Sequence, residues 1–250
     1  MAASSFRVLT YNIHKGFSAG NRRFVLQQIR DNLRAADVDI VFLQEIHGQH
    51  AVHESKIEEW PAESQFEYMA DQIWPHYAYG RNAIYNAGHH GNAILSKYPF
   101  AEWENINVSS VRWASRSLLH GVVHIPEQEK RLHVICVHLD FLPGQRSRQI
   151  RILNERIRDN IPADEPLILA GDFNDWRGQA SRHLAADLGL REIFYAMQGQ
   201  HAKTFPAWWP VLPVDRIYYR GVKPVECVCF GEQPWQQLSD HSPLYAKFEI

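Results

Sequence analysis

Eight polar side chains of this 250-residue sequence stand at or just beyond the ends of short apolar runs, and their types divide the chemistry among them. Four are carboxylates: Glu45 in Leu43-Gln44-Glu45, Asp172 in Gly171-Asp172-Phe173-Asn174, Asp215 in Val214-Asp215-Arg216-Ile217 and Asp240 in Ser239-Asp240-His241. Two are amides, Asn12 and Asn174, and two are imidazoles, His138 in Cys136-Val137-His138-Leu139 and His241. Oxygen donors of this kind suit a hard divalent cation, and Mg2+ favours one or two carboxylates with several retained waters. Glu45 is the expected direct ligand, Asp240 the second, and Asn12 the amide that holds a bound water or an anionic oxygen. No thiolate belongs to the set, which argues against zinc, and Mn2+ is the expected substitute for Mg2+. Singly, each residue has a plain structural reading: a turn amide, a solvated glutamate, a helix or turn aspartate, a satisfied core histidine. Only the ordered set speaks for shared chemistry.

Positioning such a set requires strands whose ends converge. Residues 6–12 read as a first strand, 21–36 show helical spacing through Phe24, Leu26, Ile29 and Leu33, and 39–44 form a continuous apolar run expected for a strand buried on both faces. That is a βαβ opening. A polar, histidine-bearing stretch follows, then helical spacing over 64–74. Strand patterns crowd together at 77–79, 92–96, 101–108, 117–125 and 132–138, separated by Gly and Pro. Residues 145–159 return to helical spacing, 166–170 are a short buried strand, and 214–219, 225–230 and 244–250 close the chain. Alternating helices and strands around a central meander predict a layered α/β fold. In such folds ligands gather where strand-end loops meet.

In the order Asn12, Glu45, His138, Gly-Asp-Phe-Asn, Asp215 and Ser-Asp-His, the chain resembles the endonuclease/exonuclease/phosphatase superfamily. That group includes DNase I-like nucleases, abasic-site endonucleases, neutral sphingomyelinases and inositol-polyphosphate 5-phosphatases. The segment Gly91 to Pro99 is similar as well, and the likeness runs over essentially the whole chain. The resemblance implies a four-layer α/β/β/α sandwich of two mixed β-sheets, a single domain over 1–250 with its core from residue 6, and Mg2+-dependent cleavage of a phosphoester. A phosphodiester repels its nucleophile, so the site must supply a cation, orient a water and stabilise or protonate the leaving oxygen. By resemblance Asp172 orients or deprotonates that water, while Asn174 donates its NH2 to phosphoryl oxygens. His241 contacts the scissile phosphate with Asp215 orienting its ring, and His138 serves as general acid. Arg116 falls where relatives carry a phosphate-binding arginine, although the glycine that commonly follows is Ser117 here.

Composition narrows the substrate without naming it. A formal net charge of −2 gives no excess of Lys and Arg to hold long polyanions, so non-specific nucleic-acid binding is not favoured. Neither a leader pattern nor a bilayer-length apolar run is seen, and a cytoplasmic protein is expected. Cys136, Cys227 and Cys229 read as small core residues. His47, His50 and His53, three apart, and His89-His90 invite a metal reading but are taken as a solvated or substrate-facing rim. Arg146, Arg148, Arg151, Arg156 and Arg158 are taken as a solvated helix face, with Arg146 and Arg148 starting close to His138. Trp208 and Trp209, between prolines, offer a surface to stack a base, grip a sugar or touch a bilayer interface. The expected partner is thus a phosphate ester, either nucleic acid or a phospholipid or inositol phosphate. Peripheral membrane contact stays open, and no stable protein partner is expected. The alternatives are a phospholipid head-group or inositol-phosphate phosphatase and, outside enzymes, a catalytically silent phosphate-binding scaffold.

Overall fold

The computed structural model describes residues 4–85, 87–109, 116–126 and 131–250. Among these, twelve strands run in chain order as β1 (Ser5–Asn12), β2 (Ile40–His50), β3 (His76–Tyr85), β4 (Gly88–Ser96), β5 (Phe100–Asn107), β6 (Ser117–Val123), β7 (Leu132–His138), β8 (Leu167–Asp172), β9 (Arg191–Glu192), β10 (Asp215–Arg220), β11 (Lys223–Cys229) and β12 (Leu244–Glu249). They form two six-stranded sheets, ordered β11-β12-β1-β2-β4-β3 and β5-β6-β7-β8-β10-β9. Both are mixed, because β1 with β2 and β7 with β8 run parallel while their other neighbours are antiparallel.

Period-two alternation explains why the sheets stack. On β1, Phe6 and Val8 face the other sheet, meeting Phe42, Leu119, Val134, Ile168 and Phe248 in a core between the sheets. Leu9 and Tyr11 on the opposite face join Ile29 and Leu33 of α1 (Leu26–Ala35), a short helix α2 (Ala51–Glu54) intervenes, and α3 (Gln65–Ala70) adds Met69. The second sheet is covered by α4 (Pro143–Asn160) and α5 (Gln179–Leu188), through Leu153, Ile157 and Leu184 against Ile135 and Val137. Burying a side chain such as Leu153 or Phe42 contributes about 1.5–3 kcal/mol. The result is the expected α/β/β/α sandwich. No helix among the described residues is long and apolar enough to cross a membrane.

The elements depart from expectation where local geometry is irregular. Residues 19–21 form a separate 3-10 turn with Gly20 at φ 72°, so the first helix begins only at Leu26. Ser64 caps α3 reciprocally with Glu67, which fixes its start as the spacing suggests. Helix α5, bounded by Gly178 and Gly189 at φ 66° and 65°, and α6 (Ile193–Gln198) were not anticipated. The expected strand over 39–44 instead continues to His50, because its pairing with β4 shifts between Leu43 and Ile46. The histidine-bearing stretch is therefore strand and short helix rather than loop.

Candidate active site

Strand register brings three of the catalytic candidates together. In the parallel pair β7/β8, His138 stands opposite Asp172, and in the antiparallel pair β8/β10 Asp172 stands opposite Asp215. Gly171 makes this possible: at φ 144°, a Cβ there would run into the Val137 carbonyl. Asn12, at the end of β1 in the other sheet, reaches across to donate its Nδ2 to Asp172 Oδ2 at 3.2 Å. Ser239 Oγ donates to the Asn12 carbonyl at 2.7 Å, which ties the Ser-Asp-His turn to the same edge. His241 Nδ1 then lies 2.9 Å from Asp215 Oδ2, and its Nε2 lies 3.8 Å from Asp172 Oδ2. His138 Nε2 approaches the same Asp172 oxygen at 3.5 Å.

Glu45 enters from the first sheet by way of the β2 irregularity. It does not end the strand, as expected, but sits within it at φ 59°, and the extra residue of such a bulge re-aims the side chain. His14, Lys15 and Asn174 also hold positive φ (45°, 61° and 50°), an uncommon state for non-glycine residues that is concentrated here around the site. Lys15 Nζ lies 3.3 Å from Glu45 Oε2, and His14 Nδ1 lies 3.3 Å from Asp240 Oδ1. Glu45 Oε2 is buried with the Lys15 ammonium as its ion-pair partner, and the buried Asp215 Oδ1 accepts no hydrogen bond. Buried carboxylate oxygens of this kind are donors that fit a hard cation. Asn12 Oδ1 accepts from the His14 backbone N–H at 3.1 Å, and its NH2 is turned to Asp172.

The proton distribution follows from burial and these neighbours. Burial raises Asp172 to about 7, with His241 opposing and Asp215 adding to the rise. Burial would neutralise His241, but Asp215 and then Asp172 overcome it and raise the imidazole to about 10. Burial, helped by the charges of Arg116 and His241, holds His138 well below the ordinary histidine value. Of the two imidazoles His241 is thus the proton-rich one and His138 the proton-poor one. Burial would raise Glu45, yet Lys15 and His14 hold it below the usual carboxylate range, and the His14 hydrogen bond does the same against burial at Asp240.

Arg116 is half-buried with an Nε that has no hydrogen-bond partner, and its charge is felt at His138 and His90. Ser117 in the glycine position donates its hydroxyl to Asn82, which takes up the polarity that a glycine would not bring. Asn174 donates its backbone N–H to Asp172 Oδ1 at 2.9 Å and its NH2 to the Leu139 carbonyl at 3.0 Å, while Phe173 between Asp172 and Asn174 is buried in the core. All nine candidates thus have a place along one edge of the sandwich. His14 and Lys15 were missed, their sequence signal being the polarity of Ile13-His14-Lys15-Gly16 directly after Asn12, while His90, read from the sequence as part of a histidine rim, feels the Glu45 charge.

Two surface readings are revised. Arg146 is not solvated: it is buried, donates to the carbonyls of Asp140 and Phe141, and lies 5.2 Å from the Trp176 ring. His47 is buried in β2 instead of lining a wet rim. Trp208 and Trp209 are both exposed, 59% and 72%, on a loop closed by Phe205 and Leu212. Ala207 N donates to the Asp240 carbonyl at 2.7 Å, and the Phe205 ring lies 5.1 Å from His241, so the loop hangs from the catalytic edge.

The family model described as Endonuclease/Exonuclease/phosphatase family matches residues 9–241. The chain belongs to this family. All nine candidate residues fall inside the family match. The uncharacterized protein YbhP of Escherichia coli (strain K12) is 45% identical over 246 residues, 98% of this chain and 97% of that one. Among solved structures of the fold, D. rerio TDP2 complexed with single strand DNA product superimposes with a TM-score of 0.72 at 20% identity, covering 99% of this chain and 100% of that one. A mannosyl-6-phosphatase of Bacteroides thetaiotaomicron VPI-5482 gives 0.75 at 16%, covering 98% and 100%. At such identities the likeness concerns the fold.

Proposed function

We propose that this family member is a Mg2+-dependent phosphoesterase, a phosphodiesterase or nuclease-type hydrolase. The observation that carries the reading is the buried Asp172–His241–Asp215 array, whose imidazole charge is felt at the buried Glu45 carboxylate. Asp172, raised to about 7, is basic enough to take a proton from an attacking water and acidic enough to release it again. His241, held charged by Asp215, faces the phosphoryl oxygens together with Arg116 as negative charge develops. Asn12 positions the Asp172 carboxylate, and the second N–H of the Asn174 amide is available to a phosphoryl oxygen. His138 contributes a neutral imidazole that hydrogen-bonds near the leaving oxygen. Glu45 and Asp240 would hold Mg2+, or Mn2+ in its place, and the bound ion would neutralise charge on the phosphoryl group and leaving oxygen.

The relatives in this fold include proteins whose names refer to single-strand DNA product and to a sugar phosphate, which supports phosphoester chemistry without choosing a leaving group. A second reading, cleavage of phospholipid head groups, is favoured by the exposed Trp208 and Trp209 beside the catalytic edge. The test is turnover of single-stranded RNA, nicked or abasic DNA, inositol phosphates and phospholipid vesicles, each with Mg2+ and with EDTA, for wild type, Asp172→Ala and His241→Ala. Either substitution is expected to lower the rate by about 10² or more. Equal rates in all three proteins, or rates indifferent to EDTA, would refute the assignment.

A further inference from the structure

Beyond the catalytic edge, β2 carries three histidines into one place. The bulge at Glu45 leaves His47 buried on the strand, His50 at its end and His53 one turn later in α2. One ligand nitrogen from each lies within 4.8 Å of the other two. The His50 and His53 rings stand 3.8 Å apart, and His47 is 5.0 and 6.0 Å from them. Trp60 covers the group, stacked on His53 at 5.2 Å, and Phe24 stacks on the outer face of Trp60 at 5.1 Å. We propose that His47, His50 and His53 form a second metal site, selective for an imidazole-preferring transition ion of the Zn2+ type, that clamps α2 to the end of β2.

Donor chemistry separates this site from the catalytic one. A donor set of three imidazoles suits Zn2+, Co2+, Ni2+ or Cu2+ and offers little to Mg2+. The geometry is within reach. An ion at the centre of a triangle with 4.8 Å edges lies about 2.8 Å from each nitrogen, so inward shifts of about 0.7 Å give ordinary Zn–N distances. Ligation ends the hydrogen bond that His50 Nδ1 accepts from the His53 backbone N–H at 3.1 Å. A ligated imidazole either gives that lone pair to the ion or keeps its single proton there. One cap bond is a small loss against three metal–nitrogen bonds. The aromatic cover of Trp60 and Phe24 limits water access, as shells around metal sites do. His90, 5.8 Å from His47, feels the charge of Glu45 and belongs with the catalytic side. The site therefore lies two residues beyond Glu45 on one strand, and filling it would fix the segment that carries the bulge.

The test uses the full chain stripped with EDTA and then held in excess Mg2+, titrated with Co2+ and followed by visible d–d absorption. One equivalent is expected to bind with the intense band of a low-coordinate nitrogen site, and stoichiometric Zn2+ is expected to displace it. His50→Gln and His53→Gln should each weaken Co2+ binding by at least about 100-fold, while circular dichroism and Mg2+-supported hydrolysis stay as in wild type. X-ray absorption at the zinc edge of the wild type, which needs no variant, should show imidazole scattering from three histidines. An unchanged Co2+ band in both histidine variants overturns the proposal. So does a band lost in Asp240→Asn but kept in the histidine variants, or a zinc edge showing oxygen ligands alone.

Discussion

Replacing Asp215 by Asn removes one charge from a buried array and leaves its shape intact, so it isolates electrostatics from packing. Asp215 is the main neighbour that keeps the buried His241 protonated; with Asp172 and Asp240 it lifts the imidazole from 6.5 to about 10 against its own desolvation. That rise corresponds to about 5 kcal/mol of preference for the charged form, as an order of magnitude. Were His241 merely returned to its ordinary value, about a quarter of the molecules would carry the proton at pH 7. Burial acts in the same direction as the loss of Asp215 while Asp172 and Asp240 still favour the charged form, so the charged fraction falls and kcat/KM at neutral pH should drop by roughly 10-fold. The two limbs of the pH profile respond unequally. The acid limb, set by Asp172 near 7, needs Asp172 ionised and so rises with pH; it should move little, because Asp215 raises and His241 lowers that carboxyl, and the substitution weakens both influences. The alkaline limb, where His241 loses its proton and activity falls, should move down from near 10 towards neutral pH. The assay is kcat/KM for an activated phosphodiester from about pH 5 to about pH 11 at saturating Mg2+, beside NMR titration of His241. An alkaline limb that stays near 10, with His241 titrating as in the wild type, would refute the reasoning.

Other expectations follow from single contacts. Glu45→Gln removes the charged donor of the cation site, and the Mg2+ concentration for half-maximal activity should rise at least about 10-fold in a metal titration. Gly171→Ala places a Cβ against the Val137 carbonyl at φ 144°, and urea unfolding should show a loss of more than about 3 kcal/mol; a shift below 1 kcal/mol, by the same measure, would mean the strands part easily there. Trp208→Ala with Trp209→Ala removes exposed rings, so stability should change by no more than about 0.5 kcal/mol. The KM for a nucleic-acid or lipid substrate should meanwhile rise about 10-fold with that of a small activated diester unchanged; equal effects on both would remove the loop from substrate binding.

The apolar run of Phe6, Val8, Leu9 and Tyr11 and the helical spacing of Ile150, Leu153 and Ile157 are local patterns, and they identified strands and helices and hence a layered α/β fold by themselves. Gly171 next to Asp172, and Ser239-Asp240-His241 before the last strand, were legible as a site only through their order along the chain and the family resemblance it carries. What the sequence could not carry is anything set by pairing between distant segments. The bulge that turns Glu45 inward exists only because β4 fixes the register of β2 on both sides of it. The proton preferences of His138 and His241, two histidines of equal intrinsic basicity, diverge because one is buried near Arg116 and the other against Asp215. The recruitment of His14 and Lys15 to the carboxylates, the burial of Arg146 and the meeting of His47, His50 and His53 are likewise products of packing. Hydrophobic periodicity acts over a few residues and is written in order along the chain; electrostatic environment is a sum over neighbours that only the folded arrangement supplies.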